Sequence, residues 1–267
     1  MVLDFVNIEI IKQNCIFEIL TPSNLKSIAL FLFLSLLAEI LGTVGGFGSS
    51  LFFVPIAGFF LDFHSVLGIT ALFHLSSNSS KIVLFRKGVD KKLVLYMGIP
   101  AVVFVIAGAY ASKFVDGKTL QFSLGIFLVT LSSVLLIFKN LALKPTLTTS
   151  LGSGAMSGIV AGLLGTGGAI RGLALAAFSL PKDAFIATSA IIDLAIDASR
   201  TVVYIANGYV HTHDLYLIAA LFVIGFVGSY IGKRLLEKIS EAQFKNIVLV
   251  LILFVGLATL TKLFVQA

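Results

Sequence analysis

The stretch Gly42-Thr-Val-Gly-Gly-Phe-Gly-Ser-Ser50 decides the fold, together with its counterpart Gly165-Thr-Gly-Gly-Ala-Ile-Arg-Gly172. Both interrupt long apolar runs, one from Lys26 to Leu61 and one from Ser150 to Leu180. Glycine costs about 1 kcal/mol relative to alanine inside a helix, so clusters this dense break helices. The arms on either side are too short for the roughly 20 apolar residues that cross hydrocarbon comfortably. Each run therefore reads as a glycine-broken helical hairpin (26–61 and 150–180), re-entrant or barely spanning. The plainer alternative is a pair of small-residue helix contacts of the GxxxG kind.

Around the hairpins, six stretches are long and apolar enough to cross: 65–86, 92–113, 119–138, 183–206, 214–235 and 243–264. Composition agrees. The chain of 267 residues is 58% hydrophobic and 12% charged, with a mean hydropathy of +1.07. A soluble domain carries roughly a quarter charged residues, so this chain lacks the charge to cover a water-facing surface. Disorder, a secreted disulfide scaffold and a nucleic-acid-binding domain are excluded as readings. Cys15 is the single cysteine and signals no redox framework. Residues 1–25 carry acidic and apolar residues without a basic leader and read as an amphipathic segment on the membrane surface. The expected fold class is an all-α polytopic membrane protein with the lipid bilayer as its medium.

The net charge of +6 belongs to the loops. Arg86, Lys87, Lys91, Lys92, Lys139, Lys144, Lys182, Lys233, Arg234, Lys238 and Lys245 fall on one side if the hairpins return to their own side. Basic loops face the cytoplasm. The reading is a multi-pass protein of the cell membrane with both termini outside the cytoplasm and a cytoplasmic linker at 139–149.

The two halves, 26–138 and 150–267, repeat one pattern: a hairpin and then three helices. Gly45-Gly46 precedes Arg86-Lys87-Gly88-Val89 as Gly167-Gly168 precedes Ala206-Asn207-Gly208-Tyr209, and Gly68-Ile-Thr70-Ala71 matches Ile186-Ala-Thr188-Ser189. An odd number of crossings per repeat inserts the second copy upside down. Inverted repeats with broken helices are the architecture of secondary transporters, whose breaks expose helix ends to a substrate. Backbone N–H groups at a helix N-terminus suit an anion. The hairpin tips Gly45, Gly46, Gly48, Ser49, Gly165, Thr166, Gly167 and Gly168 are therefore the expected substrate site.

Gly42-x-x-Gly45-Gly46-x-Gly48 with Pro55, then Gly165-x-Gly167-Gly168, each followed by a Thr-containing stretch and a Lys/Asn-Gly loop, resemble the TauE/SafE sulfite-exporter family. The resemblance runs from about residue 27 onward. It implies an integral membrane transporter of small anions, among them sulfur oxyanions and organosulfonates. Ala169 stands where that pattern has a third glycine, no proline follows before Pro181, the first Thr-Ser position is Thr70-Ala71, and Arg171 lies inside the second glycine segment. These departures leave the substrate open.

Ionisable residues in membrane helices face a cavity or a partner. Arg171 sits at a hairpin tip, where its planar multi-donor head suits an oxyanion. The competing role is an ion pair with Glu39, Asp193 or Asp197. Asp193, Asp197 and Arg200 share one helical face at i, i+4, i+7. Asp197 and Arg200 could neutralise each other, leaving Asp193 as the better of two coupling candidates. His74, Asn78 and Lys81 form the equivalent face in the first half, with Lys81 near enough to the end to snorkel. His74, Asn78, Thr70, Thr188 and Ser189 are expected to line the cavity, with helix packing as the alternative for each. His211 and His213 read as a solvated loop, no metal site is expected, and no cofactor motif is present.

The sequence is read as a secondary transporter of small anions, working by alternating access around the hairpins with H+ or Na+ as the coupled cation. A passive anion channel is the main alternative. A membrane-embedded enzyme using Ser49 or Ser79 with His74 has no supporting Gly-x-Ser-x-Gly or His-Glu-x-x-His motif. Direction, coupling ion and oligomeric state, including a homo-oligomer, stay open.

Overall fold

The computed structural model describes residues 22–85, 88–138, 143–238 and 241–265. The surface segment expected before residue 22, and the loop cations Arg86, Lys87 and Lys139, lie outside them. Ten α-helices and no strand occur among the described residues. The first half holds α1 (Pro22–Gly45), α2 (Ser50–Ala57), α3 (Phe63–Leu84), α4 (Lys91–Ala111) and α5 (Gly117–Ile137). The second holds α6 (Leu147–Leu164), α7 (Gly168–Ala176), α8 (Lys182–Ala206), α9 (Leu215–Leu236) and α10 (Glu241–Val265).

Short polar side chains set the starts of four helices, α3 to α6. Asp62 accepts from the Ser65 amide at 3.0 Å, Asp90 from Lys92 and Leu93, Asp116 from Thr119, and Thr146 from Thr149. Each satisfies backbone donors that the first turn leaves open. Asp116 is exposed, and its bonds from Thr119 hold its carboxyl below the usual range.

Both hairpins are present, but their arms are unequal. The first arms, α1 with 24 residues and α6 with 18, are full helices, and the second arms, α2 with 8 and α7 with 9, are short. The expectation of two short arms misread Gly42, which is helical. Its missing side chain is where the chain folds back, with Ser49 backbone lying against it. Among the described residues six helices are long and apolar enough to cross a membrane: Leu25–Gly45, Lys91–Phe114, Gly117–Ile137, Leu147–Leu164, Leu215–Leu236 and Ile247–Val265. They include α1 and α6 and leave out α3 and α8, both of which the sequence reads as crossings. Those two are long enough, at 22 and 25 residues, but their polar faces lower their hydropathy. They are interior elements, and α3 buries fifteen of its 22 residues.

Helix α3 packs on α8, α5 on α10, α4 on both α6 and α8, and α9 on both α1 and α3. Exchanging α1–α5 for α6–α10 maps each of these pairs onto another or onto itself. The closest approach is α4 on α6, where Gly154, Gly158 and Gly162 lie directly against the carbonyls of Met97, Ala101 and Val105. A Cβ has no room there because backbone cannot step aside. Gly158→Val is expected to cost about 1–3 kcal/mol, whereas Gly152→Val, with nothing within 4 Å of its Cβ position, leaves stability unchanged. Thermal unfolding in detergent separates the two, and equal melting temperatures would refute the close packing.

Candidate functional site

The breaks at residues 46–49 and 165–167 cross each other in the interior. Gly168 packs against the Phe47 carbonyl, and a Cβ on Gly172 would come within 2.7 Å of the Phe47 ring. Thr166 donates its hydroxyl hydrogen to Ser50 Oγ at 3.0 Å, tying one break to the other. Gly46, Gly48 and Gly165 turn the chain at φ of +69°, +85° and +77°, a region open to glycine at no steric cost.

Among the described residues, three ion pairs between basic and acidic side chains surround this crossing. Lys81 Nζ lies 2.8 Å from Glu39 Oε1, Arg200 Nη2 lies 2.6 Å from Asp197 Oδ1, and Arg171 pairs with Asp193. Arg171 thus takes Asp193 from its three sequence-level partners, and Asp197 takes Arg200. Ser189 accepts from Arg171 Nε at 3.3 Å and donates to Asp193 at 3.3 Å. Asn78 donates to Asp197 at 2.7 Å, joining α3 to α8. Lys81 does not snorkel: it is 6% exposed, and its stem is enclosed rather than laid along the surface.

Glu39, which the sequence offered only as a partner for Arg171, is fully buried and collects donors from four elements. Ser49 donates to it at 2.5 Å, Ser77 at 2.6 Å, Ser229 at 2.9 Å and Thr43 at 3.1 Å, beside the Lys81 ammonium. A charge at that depth is tolerable only when paired and hydrogen-bonded, and it is both. Ser49 also meets His74 Nε2 at 3.0 Å, and Arg200 Nη2 meets His74 Nδ1 at 3.4 Å. Arginine has only donors and serine has one hydroxyl hydrogen. With that hydrogen on Glu39, His74 must donate from Nε2 and accept at Nδ1. A continuous chain therefore runs Asp197, Arg200, His74, Ser49, Glu39. In this arrangement His74 has no free lone pair toward Ser49, the opposite of an activated serine nucleophile.

Arg200 also holds the end of α6, donating from Nη1 to Ala161 O at 3.1 Å and to Gly165 O at 2.8 Å. The Gly165 amide also donates to Ala161 O, at 3.0 Å, so the guanidinium adds a second donor there and supplies one to the Gly165 carbonyl at the helix end. The sequence signalled Arg200 only as a neutraliser of Asp197. The carbonyls it clamps carry no side-chain signature.

Two cavities adjoin the crossing. One of about 370 Å³ is lined by Gly45, Gly46 and Phe47 of the first half and by Gly172, Phe185 and Ile186 of the second, among others. The other, about 20 Å³, is walled by Gly46, Gly48, Asn78, Lys81, Ser189 and Asp193 together with Gly42 and Thr43. Of the expected site residues, Gly45, Gly46, Gly48, Asn78, Ser189 and Asp193 line these spaces, while Thr166, Gly167 and Gly168 build the crossing. Arg171, His74, Ser49 and Asp197 stand behind them in the buried network. Thr70 and Thr188 line neither cavity. The Thr70 hydroxyl bonds back to Val66 O at 2.6 Å, and that of Thr188 accepts from the Asp90 amide at 3.0 Å. Gly165 caps α6 and packs on Leu67 and Val54.

His211 contacts Ser65 Oγ at 3.2 Å and Asp214 at 3.4 Å, and the side chain of His213 lies outside the described residues. Among those residues no group of three or more His, Cys, Asp or Glu could hold a metal ion.

Residues 31–259 match the family model described as sulfite exporter TauE/SafE. No curated protein matches the chain.

Proposed function

The chain belongs to the sulfite exporter TauE/SafE family, and from that premise we propose that it is a secondary transporter carrying small sulfur-containing anions by alternating access around the crossed glycine breaks. The observation that carries this reading is the crossing itself, set beside a cavity and ringed by paired charges. Non-helical backbone at membrane depth is tolerated only where it is buried in protein or lines a cavity, and both hold here.

An inverted repeat relating the halves is supported by the packing and by matched contacts. The long arm of each break receives a cation from the central helix of its own half, Lys81 to Glu39 and Arg200 to the Ala161 carbonyl. The start of each short arm reaches the same central helix, Ser49 at the cap of α2 to His74 and Arg171 in the first turn of α7 to Asp193. Asn78 and Asp197, at matching repeat positions, meet each other. The cytoplasmic placement of the basic loops, with both termini outside, stays part of this reading.

The ring holds three cations and three carboxylates, so it is electrically balanced before any substrate arrives. An anion entering it adds uncompensated buried charge, which is costly. Protonating one carboxylate offsets that charge and releases its cation. Asp193 is the carboxylate placed for this role, because its side chain is 20% exposed against 4% for Asp197 and none for Glu39. Coupling to a cation favours a carrier over a passive channel. In this scheme Arg171, freed from Asp193, grips the anion.

The test is a thermal-shift screen in detergent against sulfite, sulfate, thiosulfate, small sulfonates and carboxylates. A ligand at a hundred times its Kd stabilises the folded state by about 2.7 kcal/mol. A sulfur oxyanion is expected to raise the melting temperature of the wild type, and Arg171→Ala to abolish that rise. No response to any sulfur anion would remove the substrate class, and an unchanged response in Arg171→Ala would remove Arg171 from the site.

A further inference from the structure

The smaller cavity, about 20 Å³ in volume, is a polar chamber whose walls come from both halves of the chain: Lys81 and Asn78 from α3, Thr43 from α1, and Ser189 and Asp193 from α8, with Gly46 shared with the larger cavity. We propose that Lys81 is a second anion-binding cation, so that an oxyanion is held by one cation from each half, Lys81 and Arg171. This deepens the anion-transport reading and rests on it.

Three observations carry the assignment. Lys81 is the cation that itself walls the chamber, whereas Arg171 stands one residue back behind Ser189 and Asp193. Its ammonium has three donors, of which Glu39 at 2.8 Å and Ser77 Oγ at 2.8 Å account for two. Lys81 need not leave Glu39 to serve a ligand: it can turn its third donor to the anion while Glu39 keeps its counter-ion and the four hydroxyls of Ser49, Ser77, Ser229 and Thr43. A lysine with a long stem near a helix end has a cheaper position at the membrane surface. Its burial here sets the ammonium beside Glu39 and against the chamber wall.

The size limits what enters. A space of about 20 Å³ holds one water-sized group, hence one oxygen of an oxyanion, and the larger cavity, of about 370 Å³, shares Gly46 and Ile186 with it. The ligand class is a compact anion presenting a terminal oxygen, with sulfite and sulfate as the probes.

Calorimetric titration of the purified protein with sulfite and with sulfate tests this. Lys81→Met alone strands the Glu39 charge and risks unfolding, so the decisive variant is Lys81→Met with Glu39→Gln, which removes both charges. It is expected to fold and to bind the anion roughly ten- to hundredfold more weakly, the factor that follows from losing one charge-assisted hydrogen bond. Lys81→Arg, which keeps the charge, is expected to restore most of the affinity. Wild-type affinity in the double variant, with binding lost in Arg171→Ala, overturns the role of Lys81 and leaves the transport reading intact. No binding of either anion by the wild type overturns both.

Discussion

Replacing Arg200 by methionine is expected to lower the stability of the folded protein by about 3–5 kcal/mol, the cost of leaving a buried charge without its partner. Four acceptors lose a donor at once. Asp197 keeps only Asn78, the carbonyls of Ala161 and Gly165 lose their guanidinium, and His74 Nδ1 is left facing an apolar chain. Tyr204 softens the loss slightly, since its hydroxyl donates to Gly162 O at 2.7 Å and Ala161 O at 3.3 Å. A second variant separates the causes. Arg200→Met with Asp197→Asn removes both charges, and if the pair were the whole story it would recover nearly all the stability, as buried pairs replaced by neutral groups often do. In that variant Ala161 O keeps the Gly165 amide and Tyr204 but the Gly165 carbonyl has lost its guanidinium, so recovery is expected to be partial, with a residual loss of about 1–3 kcal/mol. Thermal unfolding in detergent reads both. Full recovery would mean that the clamp on the second break carries no energy.

Why Arg200 could be found in the sequence while its task could not is a matter of range. The i, i+4, i+7 spacing of Asp193, Asp197 and Arg200, and of His74, Asn78 and Lys81, is a local periodicity, and both faces point inward as that periodicity requires. The glycine clusters were legible for the same reason, since glycine acts on its own backbone. Glu39 was not. A lone carboxylate in an apolar run has no pattern around it, and Ser49, Ser77 and Ser229, which satisfy it, lie 10, 38 and 190 positions away. Lys81 was placed at the surface by its distance from the helix end, an argument that omits what the neighbouring helices contribute. The unequal hairpin arms were hidden because glycine has two uses. Gly46 and Gly48 break the helix through positive φ, whereas Gly42 stays helical and gives room to the returning chain. Composition alone does not distinguish a glycine that turns from one that is packed against.

Asp193→Asn is expected to abolish anion accumulation driven by a pH gradient while preserving anion binding and exchange. Asparagine imitates the protonated acid, so Arg171 loses its resident counter-ion and stays available to the substrate. Binding is then no longer linked to proton uptake. Calorimetry in buffers of different ionisation enthalpy would find about one proton bound per anion in the wild type and none in the variant, as linkage requires when the released group is the one that titrates. Reconstituted vesicles would show accumulation falling to the equilibrium level, with counterflow of labelled anion retained. Asp197→Asn provides the contrast. Asp197 is 4% exposed and held by Arg200 and Asn78, away from both cavities, so that variant is expected to lose stability and keep its coupling. The opposite assignment would place the proton at the junction of α3 and α8, and coupling lost in Asp197→Asn but kept in Asp193→Asn would establish it. If neither variant alters coupling, the neutrality of the ring is maintained by a different cation, and Na+ dependence of accumulation becomes the deciding measurement. In the proposed scheme one of these outcomes is expected, because an anion entering a neutral, buried ring of paired charges is costly unless a positive charge accompanies it.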